Sequence, residues 1–198
     1  SPSPVVTPGS SPSTSAAVIA FSGGAPPVDG GGMITSVRVV LGSFSIDFTG
    51  PSCFVGGSSF FVDVSLRDLA KSGAMAGPDM LASGYHVRDR LAEEAFYSDP
   101  SLADLMGGVR SIADIRRVVR MNLAHGVDWI KINATERAGT PDTDPRKQMW
   151  NEDEIRAIVE EAAAKGVRVQ AHAHGAEGAL AAVKAGVASI EHGTYLTP

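Results

Sequence analysis

The amino-acid sequence predicts an α/β protein built from parallel βα units. Three predicted helices are each followed by a glycine and then by a short apolar strand. The glycines are Gly126, Gly166 and Gly186, and each stands where a helix commonly ends in the left-handed conformation. Helices that alternate with short apolar strands are typical of a parallel sheet covered on both faces. A (β/α) barrel and a doubly wound sheet both fit this pattern.

The composition excludes several classes of protein. Of the 198 residues, 43% are hydrophobic and 20% are charged, which excludes a collagen, a coiled coil or a chain that is disordered throughout. The net charge of −5 gives no reason to expect a nucleic acid or a membrane as partner. We find no signal peptide and no apolar stretch of about 20 residues, so we expect a cytoplasmic location. The single cysteine, Cys53, excludes a cysteine-rich zinc site.

Composition also divides the chain into three segments. Residues 1–32 are rich in Ser, Pro and Gly and offer little apolar surface, so we expect a disordered leader. Residues 33–59 as a whole show no clear hydrophobic period, so we assign them to no domain and expect irregular structure. Regular patterns occupy residues 60–198, which we expect to form the folded domain or a part of a larger one.

The patterns upstream of the βα units are short. We expect a strand at Met33–Leu41 and another at Phe60–Val64, since both are apolar runs. A helix is predicted at Asp63–Lys71. A strand around Met80–Ser83 and short helical pieces within Ala92–Leu105 follow.

The βα units themselves have clear boundaries. Ser111 followed by Asp114, and Asn151 followed by Glu154, are typical of the capping boxes that begin helices. A third helix is predicted to end at Gly186. Short apolar runs after the three glycines are the predicted strands: Val127–Asn133, Val167–Ala173 and Val187–His192.

Polar side chains lie near the ends of these three strands. Lys131 is in the first, His172 and His174 end the second, and His192 ends the third. The C-terminal ends of parallel strands meet at one edge, which in a barrel is the active-site face. Strand residues alternate sides, so His172 and His174 face the same way. Imidazoles together with a lysine that is costly to bury suit a divalent metal ion.

Other residues have simpler interpretations. The loop Thr135–Lys147 carries six charges and two prolines, as a loop at the rim of a site would. We interpret His125 as structural, because a cation is favoured in the last turn of a helix. We also interpret His86, after a loop tyrosine, as structural. Neither GxGxxG nor GxxxxGK[ST] occurs, which disfavours dinucleotide-binding and P-loop proteins.

Several stretches resemble the amidohydrolase superfamily, above all its imidazolonepropionase-like and Xaa-Pro dipeptidase-like branch. They are VDWIKI at 127–132, VRVQAHAHG at 167–175 and AGVASIEHGTYL at 185–196. The upstream stretch DVSLRDLAKSGAMAGPDMLASGYHV also resembles that branch, and the resemblance covers about 60–198. It implies a partial (β/α)8 TIM-type barrel of about strands 2 to 6. It further implies one or two divalent metal ions, commonly zinc, and hydrolysis of C–N bonds in amides, cyclic amides or dipeptides.

The resemblance also assigns roles to individual residues. Lys131 is similar to a lysine that becomes carbamylated and bridges two metal ions, which makes it both a catalytic and a metal-binding residue. His172 and His192 match metal ligands. We assign four residues to substrate binding at the rim: His174, Arg137, Arg146 and Tyr195.

Two features of the family pattern are absent from the sequence. No histidine precedes His86, so the first-strand HxH is missing, and the sequence reaches Pro198 without the eighth-strand aspartate. We therefore expect a fragment that is inactive alone towards a small-molecule amide or dipeptide. The alternative is a non-catalytic truncated barrel that binds a metal weakly or pairs with another chain. Open sheet edges would favour a homo-oligomer.

Overall fold

The computed structural model of the chain describes residues 60–75, 77, 79–139 and 141–196. Within residues 1–59 it describes only the backbone of four strands: β1 (Val18–Phe21), β2 (Ser36–Leu41), β3 (Phe44–Thr49) and β4 (Ser52–Val55). The chain divides into two compact units, residues 1–51 and residues 52–198.

The first unit contains an antiparallel sheet with the strand order β1-β2-β3. The sequence predicts a disordered leader over 1–32, whereas the structure has β1 within it, at the apolar run Val18–Phe21. The rest of that leader lies outside the described residues. β2 coincides with the predicted strand at Met33–Leu41, and β3 and β4 lie in the stretch for which the sequence shows no period.

The second unit begins with β4 and alternates helices and strands. Its further elements are α1 (Val62–Lys71), β5 (Asp79–Ala82), α2 (Glu93–Ser98), a 3₁₀ helix (Pro100–Gly107), α3 (Ile112–Ala124), β6 (Trp129–Asn133), α4 (Glu152–Ala163), β7 (Arg168–Gly175), α5 (Ala176–Ala185) and β8 (Ser189–Tyr195). β4 pairs parallel with β5, and β6, β7 and β8 form a parallel sheet in that order. The predicted α/β class and the parallel pairing of the last three strands are confirmed.

Backbone hydrogen bonds connect the end of β5 to β6. The amide of Asp128 donates to the carbonyl of Ala82 at 2.8 Å. Val87 forms a parallel bridge with Ile132, and its amide donates to the carbonyl of Lys131 at 2.8 Å. The residues that follow β5 therefore lie at the same edge as the C-terminal end of β6.

The ends of the long helices follow the predicted capping residues. The Ser111 side chain accepts from the Asp114 amide at 3.1 Å, and the Asp114 carboxylate accepts from the Ser111 amide at 3.1 Å. Asn151 and Glu154 form the same reciprocal pair at the start of α4. The three predicted terminal glycines all have positive φ. Both capping boxes satisfy amide groups that the first helical turn leaves unpaired.

The predicted strand at Phe60–Val64 is wrong. Phe60 and Phe61 have φ of 51° and 53°, and α1 begins at Val62. The Phe61 ring packs edge-on to Tyr85 at 4.9 Å and stacks on His125 at 3.7 Å. Phe61 thus turns inward to pack against two rings while Phe60 stays exposed, and the two residues do not pair as a strand. His125, interpreted from the sequence as structural, is one of the two rings that Phe61 contacts.

The sheet of β6, β7 and β8 has an apolar face and a polar face. Alternate residues of β6 and β7 are at most 3% exposed and belong to the core with α3 and α4: Ile130, Ile132, Val169, Ala171 and Ala173. The intervening residues are buried polar groups: Lys131, Asn133, Gln170, His172 and His174.

Among the residues that the structure describes, no helix combines the length and the apolar character needed to cross a membrane.

A buried ion pair joins α1 to the start of β6. The guanidinium of Arg67, only 7% exposed, donates from Nη1 to Asp128 Oδ2 at 2.7 Å and to the Gly126 carbonyl at 2.8 Å. The same Asp128 oxygen accepts from the Ala82 amide at 2.9 Å. One carboxylate therefore holds a helix and two strands together at the edge opposite the histidines.

We expect Asp128→Asn to lower the free energy of unfolding by about 2 kcal/mol at pH 7, because it leaves the buried Arg67 charge with only the exposed carboxylate of Asp68 as an ion-pair partner among the described residues. Burial raises the pKa of Asp128, but hydrogen bonds from Arg67 and the Ala82 amide outweigh it and hold the pKa below its usual value. The stabilisation is therefore complete above the ordinary pKa of about 3.9 and is lost as the pH falls below it. Urea denaturation at pH 7 and pH 3 measures this.

The matched control for this measurement is Asp79→Asn, which removes an exposed aspartate of β5. We expect the control to leave the free energy of unfolding within about 0.5 kcal/mol of the wild type. Equal effects of the two substitutions, or a difference that is as large at pH 3 as at pH 7, would contradict a stabilising role for the ion pair.

Candidate metal centre

Three histidines meet at the C-terminal ends of β7 and β8. His172, His174 and His192 each offer one ring nitrogen, and these atoms all lie within 4.8 Å of one another. The ring of His174 stacks on that of His192 at 4.7 Å, and the ring of His172 lies 4.8 Å from that of His192. The structure thus brings the predicted ligands His172 and His192 together. It also places His174 beside them, the residue predicted from the sequence to bind substrate.

His192 reaches this cluster through an irregular backbone. The register pairs His172 with Glu191 and Ala173 with His192. In a regular strand, His192 would therefore face the same side as Ala173, which is fully buried in the apolar core. The pairing shifts between Ala173 and Gly175, and His192 has φ of +77°. A left-handed backbone is unusual for histidine and is commonly retained at functional sites.

The loop that follows β6 holds the histidines of β7 in place. Thr135 Oγ1 accepts from the His174 amide at 3.0 Å, and His172 Nε2 lies 3.2 Å from the Glu136 carbonyl. On the other side, His174 Nδ1 is 2.9 Å from the hydroxyl of Thr194. The His172 ring is therefore oriented by the loop after β6, and the His174 ring by β8, in addition to their own strand.

Burial keeps these histidines uncharged. His172 and His174 are both 8% exposed. Burial lowers the pKa of His172 to about 4, and it also lowers the pKa values of His174 and His192. The three rings are therefore neutral at pH 7, which is the form of imidazole that donates a lone pair to a metal ion.

Lys131 faces the same side of the sheet as His172. Its ammonium forms an ion pair with Glu191. The register between β7 and β8 places Glu191 opposite His172, on the same face of the sheet. Burial lowers the pKa of Lys131 to about 8. Glu191 is not among the sequence-predicted site residues, because nothing in the local pattern around Glu191 distinguishes it from an ordinary strand residue.

A cavity of about 370 Å³ brings these residues together. It is lined by Lys131, Asn133, Arg137, the three clustered histidines and His86. Nε2 of His86 is buried without a hydrogen-bond partner among the described residues, and burial lowers the pKa of His86 to about 3. His86 is expected from the sequence to be structural, and its place in this cavity is not part of that expectation. The position of His86 after β5, at the same edge as the other histidines, is the signal that could have indicated it.

The other residues predicted to bind substrate at the rim are Arg137, Arg146 and Tyr195, and they lie in two places. Arg137 lines the cavity itself. The guanidinium of Arg146 lies 4.1 Å over the ring of Tyr195, whose centroid is 6.3 Å from that of His174. Arg146 and Tyr195 therefore form a cation–π pair at the rim. Gly175 allows the loop to approach, since a Cβ there would lie 2.4 Å from the Arg146 carbonyl oxygen.

The residues present fit a divalent metal ion. Neutral imidazoles are zinc ligands in catalytic sites, and His172 and His192 offer two of them, with the ring of His174 beside both. Nε2 of His86, buried without a hydrogen-bond partner among the described residues, adds a further nitrogen donor at this cavity. The charge of Lys131 lowers the pKa values of His172 and His192, so a change of charge at Lys131 alters both rings.

The chain is similar in sequence and in fold to several other proteins. Ochratoxinase from Aspergillus niger is 30% identical over an alignment covering 66% of this chain, which spans about a third of that relative's length (33%). A solved Xaa-Pro dipeptidase with bound methionine in its active site has a TM-score of 0.63 and 32% identity, over 74% of this chain and 38% of that one.

A putative prolidase from Bifidobacterium longum has a TM-score of 0.56 and 31% identity, over 72% of this chain and 32% of that one. The model of the amidohydrolase family matches residues 31–197. That match covers most of the chain, including every residue of the histidine cluster. The chain belongs to the amidohydrolase family.

Proposed function

We propose that the chain is part of a metal-dependent hydrolase that cleaves C–N bonds in amides, cyclic amides or dipeptides. The observation that carries this proposal is the convergence of His172, His174 and His192 beside Lys131 in one cavity. The similarity to an ochratoxinase and to an Xaa-Pro dipeptidase supports small amide or peptide substrates.

The fold that supports this function is a partial (β/α)8 barrel. The strands β4 to β8 are joined by helices in four successive steps, and we assign these five strands to about strands 2 to 6. The histidine cluster lies towards the C-terminal ends of these strands, where barrel enzymes hold their active sites. In this proposal the barrel part is residues 60–198 together with β4 of the same compact unit, and residues 1–51 have no catalytic role.

In this proposal His172 and His192 hold the metal ion, with zinc as the expected ion because imidazole suits it. His174, fixed by Thr194, faces the substrate. The metal would supply Lewis acidity that polarises the scissile carbonyl and lowers the pKa of water. Arg137 in the cavity, and Arg146 and Tyr195 at the rim, orient the substrate.

Lys131 is the proposed bridge between two ions after carbamylation. An amine adds to CO₂ only in its neutral form, and a pKa of about 8 makes part of Lys131 neutral near pH 7. The ammonium first loses one proton, and the neutral amine then forms an N–C bond as one C=O double bond of CO₂ opens. Loss of a second proton from the nitrogen leaves an anionic carbamate. That change breaks the ion pair with Glu191 and provides oxygen atoms that can bind metal.

We expect His172→Ala to weaken zinc binding by about tenfold or more, since even the partners that only orient a ligand contribute that much. Isothermal titration of the 198-residue chain with Zn²⁺ measures the dissociation constant. The matched control is His125→Gln, which changes a histidine that stacks on Phe61 outside the cluster. Equal zinc affinity in the wild type and His172→Ala would contradict the proposed site.

Carbamylation of Lys131 can be tested directly. After equilibration with carbon-13 bicarbonate and zinc, we expect one protected carbamate carbon in the NMR spectrum of the wild type. Lys131→Gln should lack that signal. Lys165→Gln, which removes an exposed lysine after α4, should retain it. A signal that survives in Lys131→Gln would assign the carbamate elsewhere and overturn this role.

We predict that the 198-residue chain hydrolyses no amide at a measurable rate. The family pattern includes a histidine pair before His86 and a later aspartate that moves a proton, and the sequence contains neither. Such acid–base help is typically worth about 10²–10⁴-fold. The assay is release of amino acid from dipeptides with added zinc. Activity that appears with zinc and disappears in His172→Ala would contradict the prediction.

The second candidate function is a non-catalytic chain that binds metal weakly or pairs with another chain, including a second copy. The observation that favours it is the exposure of β8, where Ser189, His192, Thr194 and Tyr195 are all exposed. An edge strand with unpaired backbone groups is prone to such pairing. Sedimentation of the purified chain separates the two: a dimer that binds zinc only weakly favours this candidate.

A further inference from the structure

The loop between β6 and α4 closes on itself at its base. Thr135 forms an antiparallel bridge with Gln148, and the Glu136 amide donates to the Lys147 carbonyl at 3.0 Å. We call these four residues the neck of the loop. The neck joins the chain that leaves β6 to the chain that returns towards α4, so it fixes the position of the backbone groups at the base of the loop.

An ion pair of the neck reinforces this closure. The Glu136 carboxylate accepts from Lys147 Nζ at 2.5 Å with Oε1, and from the Asp144 amide at 2.9 Å with Oε2. The Glu136 side chain is only 18% exposed, whereas that of Lys147 is 68% exposed. Because both carboxylate oxygens bind the returning part of the loop, the Glu136 side chain determines how the neck closes.

The neck also packs closely against β7 and α5. Thr135 Oγ1 accepts from the His174 amide at 3.0 Å. A Cβ at Gly178, in the first turns of α5, would lie 2.5 Å from Thr135 Cγ2. Only a residue without a side chain allows so close an approach. The neck therefore has a defined place beside β7, the strand that carries His172.

One backbone group of the neck contacts His172 directly. The carbonyl oxygen of Glu136 lies 3.2 Å from Nε2 of His172. A carbonyl oxygen only accepts hydrogen bonds, so Nε2 carries the proton and Nδ1 keeps the lone pair in this arrangement. The hydrogen bond at one ring nitrogen thus sets the tautomer of the ring and the direction of the lone pair that a metal ion would use.

We propose that Glu136 and Lys147 are positioning residues that hold the His172 ring in the orientation needed for a metal ion. Their ion pair fixes the neck, and the neck fixes the carbonyl that accepts from His172. Neither side chain lines the histidine-lined cavity, so both act on His172 through the backbone. This inference rests on the proposed metal site.

The first measurement is the tautomer of His172 in the metal-free 198-residue chain, with a chelator present. Long-range nitrogen–proton NMR correlations distinguish the two tautomers, and the signal is assigned by its absence from His172→Ala. We expect Nε2–H in the wild type. We expect a mixture of tautomers in Glu136→Ala and in Lys147→Gln, because both break the ion pair but keep the Glu136 carbonyl. Lys147→Arg keeps the ion pair and should restore the single tautomer.

The second measurement is the zinc dissociation constant from isothermal titration. Groups that orient a metal ligand contribute about 10–100-fold to affinity, and here the orienting carbonyl itself remains. We therefore expect Glu136→Ala to weaken zinc binding by about threefold to tenfold. The matched control is Lys71→Gln, which removes a lysine 3.8 Å from Asp128 at the edge opposite the histidines. It should leave the tautomer and the affinity unchanged.

Three outcomes overturn the positioning role: Nδ1–H in the wild type, an unchanged tautomer in Glu136→Ala, or the same tautomer change in Lys71→Gln. If Glu136→Ala fails to fold, Lys147→Gln at its exposed side chain decides. Zinc binding that depends on His172 but is equal in the wild type and Glu136→Ala removes only the positioning role. A tautomer change in a chain that binds no zinc removes only the metal site and leaves the orientation of His172 by the neck intact.

Discussion

Parallel pairing of β6, β7 and β8 is the constraint on which the site depends. Pairing in register puts Lys131 opposite Gln170, and His172 opposite Glu191, on the face away from the helices. The alternate residues fill the apolar core, so a shift of one residue would bury the polar groups among the helices. The packing of α3 and α4 against the sheet therefore also selects which side chains reach the cavity.

The charge of the site is unusual for an acidic protein. The chain has a net charge of −5, yet the histidine-lined cavity contains Lys131 and Arg137. Burial lowers the pKa values of the three histidines, and the charge of Lys131 further lowers those of His172 and His192. Glu191 neutralises only Lys131. A cavity with neutral imidazoles and surplus cationic groups is suited to ligands that bring negative charge with them.

Much of the fold could be predicted because its signals are local. Capping boxes at Ser111 and Asn151 and the glycines after the helices act within a few residues, and the structure places helix ends where they indicate. The predicted strand at Phe60–Val64 is wrong because its apolar pattern suits a turn and a helix start as well as a strand. Only contacts with Tyr85 and His125, distant in sequence, select the turn.

The sequence by itself determined that three predicted strands carry a lysine or histidines towards their C-terminal ends, since strand period and glycine position are properties of the chain alone. Tertiary structure decided which of these side chains meet. His192 joins His172 only because a register shift and a left-handed backbone turn it away from the side of Ala173. His86 enters the cavity because the chain after β5 runs beside β6. Register and backbone handedness depend on packing between distant segments, which a local sequence pattern does not contain.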